Sequence, residues 1–173
     1  MTIRINDPHS VQIIMQAARV AFVPQLHHCI AEYTPSDRLM GGVLFTDWNY
    51  GSVLMHFALF EPRGGLGRQL LWLAFQYPFN QLGVKKVFCL VPEWNILSRN
   101  VCLRLGFKIE YKVDDVFNNP PPIDNGMYII SMKRENCKWL TMKPPHITFA
   151  LLEQTNRMPI LTPREAPLRV TYH

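Results

Sequence analysis

Between Glu61 and Arg68 the sequence reads EPRGGLGR, in which three glycines and two arginines precede an amphipathic run. Placed where a strand hands over to a helix, such a turn leaves successive backbone N–H groups unpaired at the positive end of the helix dipole. Glycine also lets a ligand come close to the backbone, so the turn can cradle a pyrophosphate, with Arg63 and Arg68 adding charge-assisted contacts to phosphate oxygens. The same residues serve equally as a tight strand-to-helix turn that holds nothing. The motif is neither a Walker A loop, which needs GKS or GKT, nor a Rossmann GxGxxG.

Groups able to move a proton are few. His56 sits inside the apolar run SVLMHFALF and titrates near neutral pH, so it can accept a proton from an amine or act as a hydrogen-bonded structural residue. Glu61 and Glu93 fall at strand ends, where either can bind a cationic amine, act through a water, or stay solvated. Cys102, on a helix face, can donate a proton from a thiol with an ordinary pKa of about 8.5, or pack as a small apolar side chain.

Metal chemistry is not expected. Cys29, Cys89, Cys102 and Cys137 lie far apart, without zinc-site spacing or the density of a secreted disulfide scaffold, and read as reduced thiols. His27, His28 and Cys29 adjoin, but no second pair of ligands stands near them.

The elements that must position these groups follow from pattern. TIRI alternates as a first strand, and Asp7 as N-cap with Pro8 at the first helical position opens a helix over 8–21 through Val11, Ile14, Met15, Ala18 and Phe22. The stretch 23–33 has a weak pattern and is read as a second short helix. LMGGVLFT and SVLMHFALF are strands joined by the turn DWNYG, which carries Trp48 and Tyr50. Leu66, Leu70, Leu73, Ala74 and Tyr77 mark one face of a helix over 66–79, widened by Leu71, Trp72 and Phe75 and ending near Pro78. KKVFCLVP reads as a strand buried on both faces, NILSRNVCLRLGF as a helix stopped by Gly106, and KIEYKVDDVF and MYIISM as strands around a proline-rich loop. That order predicts an α/β domain with a mixed sheet.

Asn95, Ser98, Cys102, Gly106 and Phe107, taken with RGGLGRQLL upstream, resemble the GNAT superfamily of acyl-CoA-dependent N-acetyltransferases. The family pattern is a strand, an RGxGxG turn, a helix, a buried strand, then N-x-x-A-x-x-x-Y-x-x-x-G-F. The resemblance covers roughly residues 1–140, strongest over 53–107. It implies a mixed, mostly antiparallel central sheet flanked by helices, and acetyl-CoA as cofactor. Arg63, Gly64, Gly65, Leu66, Gly67 and Arg68 would wrap the pyrophosphate of coenzyme A. Ala58, Leu59 and Phe60 would pair their backbone with its pantetheine arm, and Asn95 would lie near the same arm. Transfer of an acetyl group to the amine of a small molecule or protein follows, with His56, Glu61, Glu93 and Cys102 as candidate proton carriers.

The match has departures. Cys102 stands where many family members carry a tyrosine that protonates the departing thiolate, and Leu90 where several carry a glutamate base. The turn is about two residues short, and Pro62 within it lacks an N–H. These features, with the end of the domain, YIISMKRENCKWL, which resembles small GNAT-like proteins of tailed bacteriophages, support an alternative: a catalytically inactive assembly protein or virion component. Residues 141–173 are proline-rich yet retain many apolar side chains. They read as an extended C-terminal arm after a 1–140 domain, docking on its own domain, on a second copy or on a protein partner.

Composition bounds the rest. A chain of 173 residues with 48% hydrophobic and 18% charged residues has room for one domain with a real core. The net charge of +5 is scattered, with no basic run longer than Lys85-Lys86 or Lys133-Arg134, which argues against nucleic acid as the main partner. The polar N-terminus and the lack of a long apolar run predict no signal peptide and no membrane span, hence a cytoplasmic protein, or a virion protein under the alternative.

Overall fold

Residues 1–60, 67–120 and 123–147 are described by the computed structural model. Strand β1 (Thr2–Ile5) leads to helix α1 (Pro8–Ala18), then to β2 (His28–Tyr33), β3 (Leu39–Thr46) and β4 (Ser52–Leu59). Helix α2 (Arg68–Gln76) continues as a π-helical turn (Tyr77–Gln81) and is followed by β5 (Lys86–Pro92), α3 (Ile96–Leu105), β6 (Lys108–Val113) and β7 (Met127–Lys133). Two short 3-10 turns, Arg134–Asn136 and Lys138–Thr141, close the described chain.

Local chemistry accounts for the helix ends. Asp7 caps α1 by accepting from the Ser10 N–H at 2.9 Å, with Pro8 in the first turn. That helix stops at Ala18, three residues before the expected end, because Arg19 turns into the left-handed region at φ 55°. Asn95 caps α3 through a 3.1 Å bond from the Ser98 N–H, and Gly106 at φ 104° ends it without a side-chain clash.

One seven-stranded sheet runs in the order β1-β2-β3-β4-β5-β7-β6. Its one parallel pair is β4 with β5, joined by the crossover through α2; the others are antiparallel. This mixed, mostly antiparallel sheet flanked by helices agrees with the sequence expectation.

The parallel pair shares only the register Ser52–Lys86, Val53–Val87 and Leu54–Phe88. Beyond it the strands part, while β4 stays paired with β3 and β5 with β7 to their far ends. The sheet is therefore split down the middle at one end.

Apolar side chains fill both faces. Phe45, Met55, Phe75, Phe79, Ile130 and Met132 pack between the sheet and α2, and Ile14 of α1 packs on Cys29, Ala31, Tyr33 and Leu44. Residues after β7 lie along α2: Trp139 stacks on Phe75 with centroids 6.0 Å apart and donates from Nε1 to the Leu105 carbonyl at 2.7 Å. Further on, Gln69 Nε2 donates to the His146 carbonyl at 2.8 Å.

Two sequence expectations are corrected. The stretch read as a short helix over 23–33 ends in strand β2, which lies between β1 and β3 and is buried on both faces, so its residues show neither helical spacing nor polar alternation. Strand β5 is not buried on both faces: Val87, Cys89 and Val91 are buried, whereas Leu90 is 37% exposed where the sheet splits. No helix among the described residues is long and apolar enough to cross a membrane.

Candidate active site

The split between β4 and β5 opens a cavity of about 380 Å³. Its walls are Met55, His56, Phe57 and Leu59 of β4, β5 from Cys89 to Pro92, the start of α3 with Asn95, Leu97 and Ser98, and the end of α1 at Ala17 to Arg19. Along 55–59 the edge of β4 that faces β5 has no strand partner among the described residues, so it can pair with an extended, amide-bearing chain as another strand would.

His56 lines this cavity and is oriented from behind. Thr46 and His56 are diagonal neighbours on one face of the β3–β4 pair, because Leu44 stands opposite His56 and Thr46 opposite Leu54. The Thr46 hydroxyl donates to Asp47 Oδ2 at 2.6 Å and lies 3.0 Å from His56 Nε2. A hydroxyl has one proton, and this one is committed to Asp47; Thr46 Oγ1 therefore accepts from Nε2–H. That assigns the neutral tautomer whose Nδ1 carries a lone pair, with no hydrogen-bond partner among the described residues. Burial lowers the imidazole pKa below its ordinary value, Asp47 opposing and His27 reinforcing the effect. His56 is thus a neutral acceptor at neutral pH.

Cys102 lines the opposite wall, on α3. Cys89 of β5, raised by its hydrogen bond to Cys102 and by full burial, remains a thiol and donates S–H to the Cys102 sulfur. The accepted bond lowers Cys102 despite its own burial. Asn95 spends its side-chain oxygen on capping α3, leaving its amide N–H₂ without a partner among the described residues.

At the start of α2 the structure places a negative charge of its own. Glu32, 1% exposed on β2, accepts from the N–H groups of Gly67 and Leu70. Burial raises its carboxyl above the ordinary value, against the lowering effects of the Gly67 N–H, the N-terminal ammonium and the Leu70 N–H. The fit requires glycine at 67, since a Cβ there would stand 1.8 Å from Glu32 Oε2. Glu32 Oε1 is buried without a hydrogen-bond partner among the described residues. In the first turn, the N–H groups of Arg68 and Gln69 have no acceptor among the described residues.

The expected site residues are therefore partly assembled. His56, Leu59, Asn95 and Cys102 meet around the cavity. Ala58 is buried under α1, Phe60 donates its N–H to the Met40 carbonyl at 3.0 Å, and neither lines the cavity. Glu93 also stands outside the cavity wall, paired with Lys112 at 2.8 Å. Gly67 and Arg68 begin α2, and Glu61, Arg63, Gly64, Gly65 and Leu66 lie outside the described residues.

Sequence reasoning missed Thr46, Asp47, Arg19, Cys89 and Glu32. Counting register across the hairpin would have found Thr46 beside His56. Glu32 gives no such signal, because a lone acid in an apolar stretch resembles a solvated position.

No protein-family model and no curated protein matches the chain. Solved structures do. A spermidine N-acetyltransferase from Vibrio cholerae, in complex with CoA and spermine, aligns with TM-score 0.62 and 15% identity over 78% of this chain and 96% of that one. An acetyltransferase from Bacillus subtilis, in complex with CoA, aligns with TM-score 0.62 and 15% identity over 76% and 97% of the two chains. A chimera of the Vibrio cholerae enzyme with hSSAT gives 0.62 and 17% over 80% and 98%. At these identities the likeness is one of fold: the chain has the GNAT fold.

Proposed function

We propose that the chain is an acyl-CoA-dependent N-acyltransferase that transfers an acetyl group to an amine. The observation that carries this reading is the cleft between β4 and β5, with a strand edge unpaired among the described residues on one wall and His56, neutral and held by Thr46, beside it. The fold likeness to acetyltransferases in complex with CoA supports it.

The residues present fit the cofactor's arm. The free backbone of β4 over 55–59 would pair with the amides of the pantetheine, and the Asn95 N–H₂ would donate to the same arm. Arg68, with the N–H groups of Arg68 and Gln69, would meet the phosphates. When bound, the thioester supplies the acyl group, its carbonyl carbon bonding to the amine nitrogen as its bond to sulfur breaks. His56 Nδ1 takes the proton that the amine loses. Cys102, made more acidic by the thiol of Cys89, gives a proton to the departing sulfur; the imidazolium then passes its proton to solvent and Cys102 takes one back from solvent, which restores both groups. Positioning in the cleft supplies much of the rate.

Glu32 favours a second reading. It already takes two donors at the start of α2, where a pyrophosphate would seat. Under that reading the fold is a scaffold without turnover, such as a virion component, and residues 141–173 hold a protein partner or a second copy. The assay that separates the two is thiol release from acetyl-CoA by the full chain with a mixed panel of primary amines. Amine-dependent release is the expected result. Its absence with every amine favours the scaffold.

A further inference from the structure

Charge around the cleft restricts what the acceptor can be. Among the described residues that line it, Arg19 is the one full charge, and no Asp or Glu is present. Asp47, the acid behind His56, is not a lining residue and is engaged by the Thr46 hydroxyl. Glu93 lies outside the wall and is paired with Lys112. The remaining surface is neutral, polar and apolar in nearly equal parts, with Phe57, Leu90, Trp94 and Leu97 forming its apolar side.

The Arg19 backbone is fixed there, while its side chain is exposed. The residue ends α1 in the left-handed conformation, its N–H bonded to the Gln16 carbonyl at 3.2 Å and that of Val20 to the Met15 carbonyl at 3.1 Å. A polyamine entering this cleft would bring several ammonium groups to a wall with one guanidinium and no carboxylate among the described residues. Desolvation would then go uncompensated. A carboxylate, by contrast, matches a guanidinium in charge and in its two-pronged geometry.

We propose that the acceptor is a small monoamine bearing a carboxylate and an apolar body. Its carboxylate pairs with Arg19, its body lies against Leu90, Trp94 and Leu97, and its amine meets His56. The acceptor role rests on the acyltransferase reading; the charge recognition does not.

Three probes separate the features: phenylalanine, 2-phenylethylamine, which lacks the carboxylate, and spermidine. Calorimetric binding of each to the full chain with CoA present should rank phenylalanine first and spermidine last. The carboxylate should contribute about tenfold, the scale of one charge-assisted hydrogen bond. Values of kcat/KM should follow the same order. Arg19→Glu should abolish the preference for phenylalanine and raise affinity for spermidine. Tightest binding of spermidine, a ranking untouched by Arg19→Glu, or no binding of any probe would overturn the proposal. Failure of acetyl-CoA itself to bind would remove the acyltransferase reading, while the ranking of probes would still decide the recognition by Arg19.

Discussion

At the scale of residues, His56 differs from an incidental strand histidine because its tautomer is set by a chain of two hydrogen bonds to Asp47. Removing the ring in His56→Ala is expected to lower kcat by about 100-fold, the low end of what general-base catalysis contributes. Thr46→Val keeps the side-chain shape but frees the imidazole to choose its tautomer, and should cost about tenfold in kcat with KM little changed. The base works as the neutral form and burial lowers its pKa. As pH is lowered the rate should therefore fall only below the ordinary histidine value, and at alkaline pH it should fall again as Cys102 loses the proton it gives to the departing sulfur. Steady-state kinetics across pH checks all three, and a wild-type rate already falling at neutral pH would contradict the assignment.

Elements explain both what could be read in advance and what could not. Helix α1 was legible because Asp7 and Pro8 signal its start, and α3 because Asn95 and Gly106 bracket it. The hairpin of β3 and β4, and with it the strand that carries His56, was legible as two strand-forming runs about a polar turn. Strand β2 was hidden by burial on both faces, so Glu32 had no pattern to mark it as the partner of α2. Arg19 joins the site only because α1 packs across β3 and β4, a tertiary fact absent from local spacing. Glu32 brings the prediction at this scale. Its carboxylate would repel a polyanion seated at the start of α2, whereas glutamine keeps the shape and an acceptor for the Gly67 and Leu70 N–H groups. Glu32→Gln should tighten acetyl-CoA binding about fivefold, the effect of a ~1 kcal/mol repulsion. Weaker binding by the variant in calorimetry would show that Glu32 shapes the turn instead of opposing the ligand.

For the whole molecule, stability should depend on two histidines that folding keeps neutral. Burial lowers His28, with His27 adding to the effect, and burial lowers His56. A pKa depressed below the unfolded value of about 6.5 means that the unfolded chain binds more protons in this window, so stability rises with pH. The contribution is complete above the unfolded value and is lost as pH falls through the folded ones. Urea midpoints should accordingly be level near pH 7 and above, about one-half unit or more past that value, and decline below it. The decline should flatten in a double variant, His28→Gln with His56→Gln. A wild-type midpoint that stays level through acid pH would contradict the burial of both rings. The central claim concerns the cleft that the split sheet creates, and titration calorimetry of the full chain with acetyl-CoA and with coenzyme A tests it most directly. Micromolar binding of both, lost when Asn95→Asp places a charge beside the arm, is the predicted result. No binding at millimolar ligand would mean that the fold persists here without its cofactor.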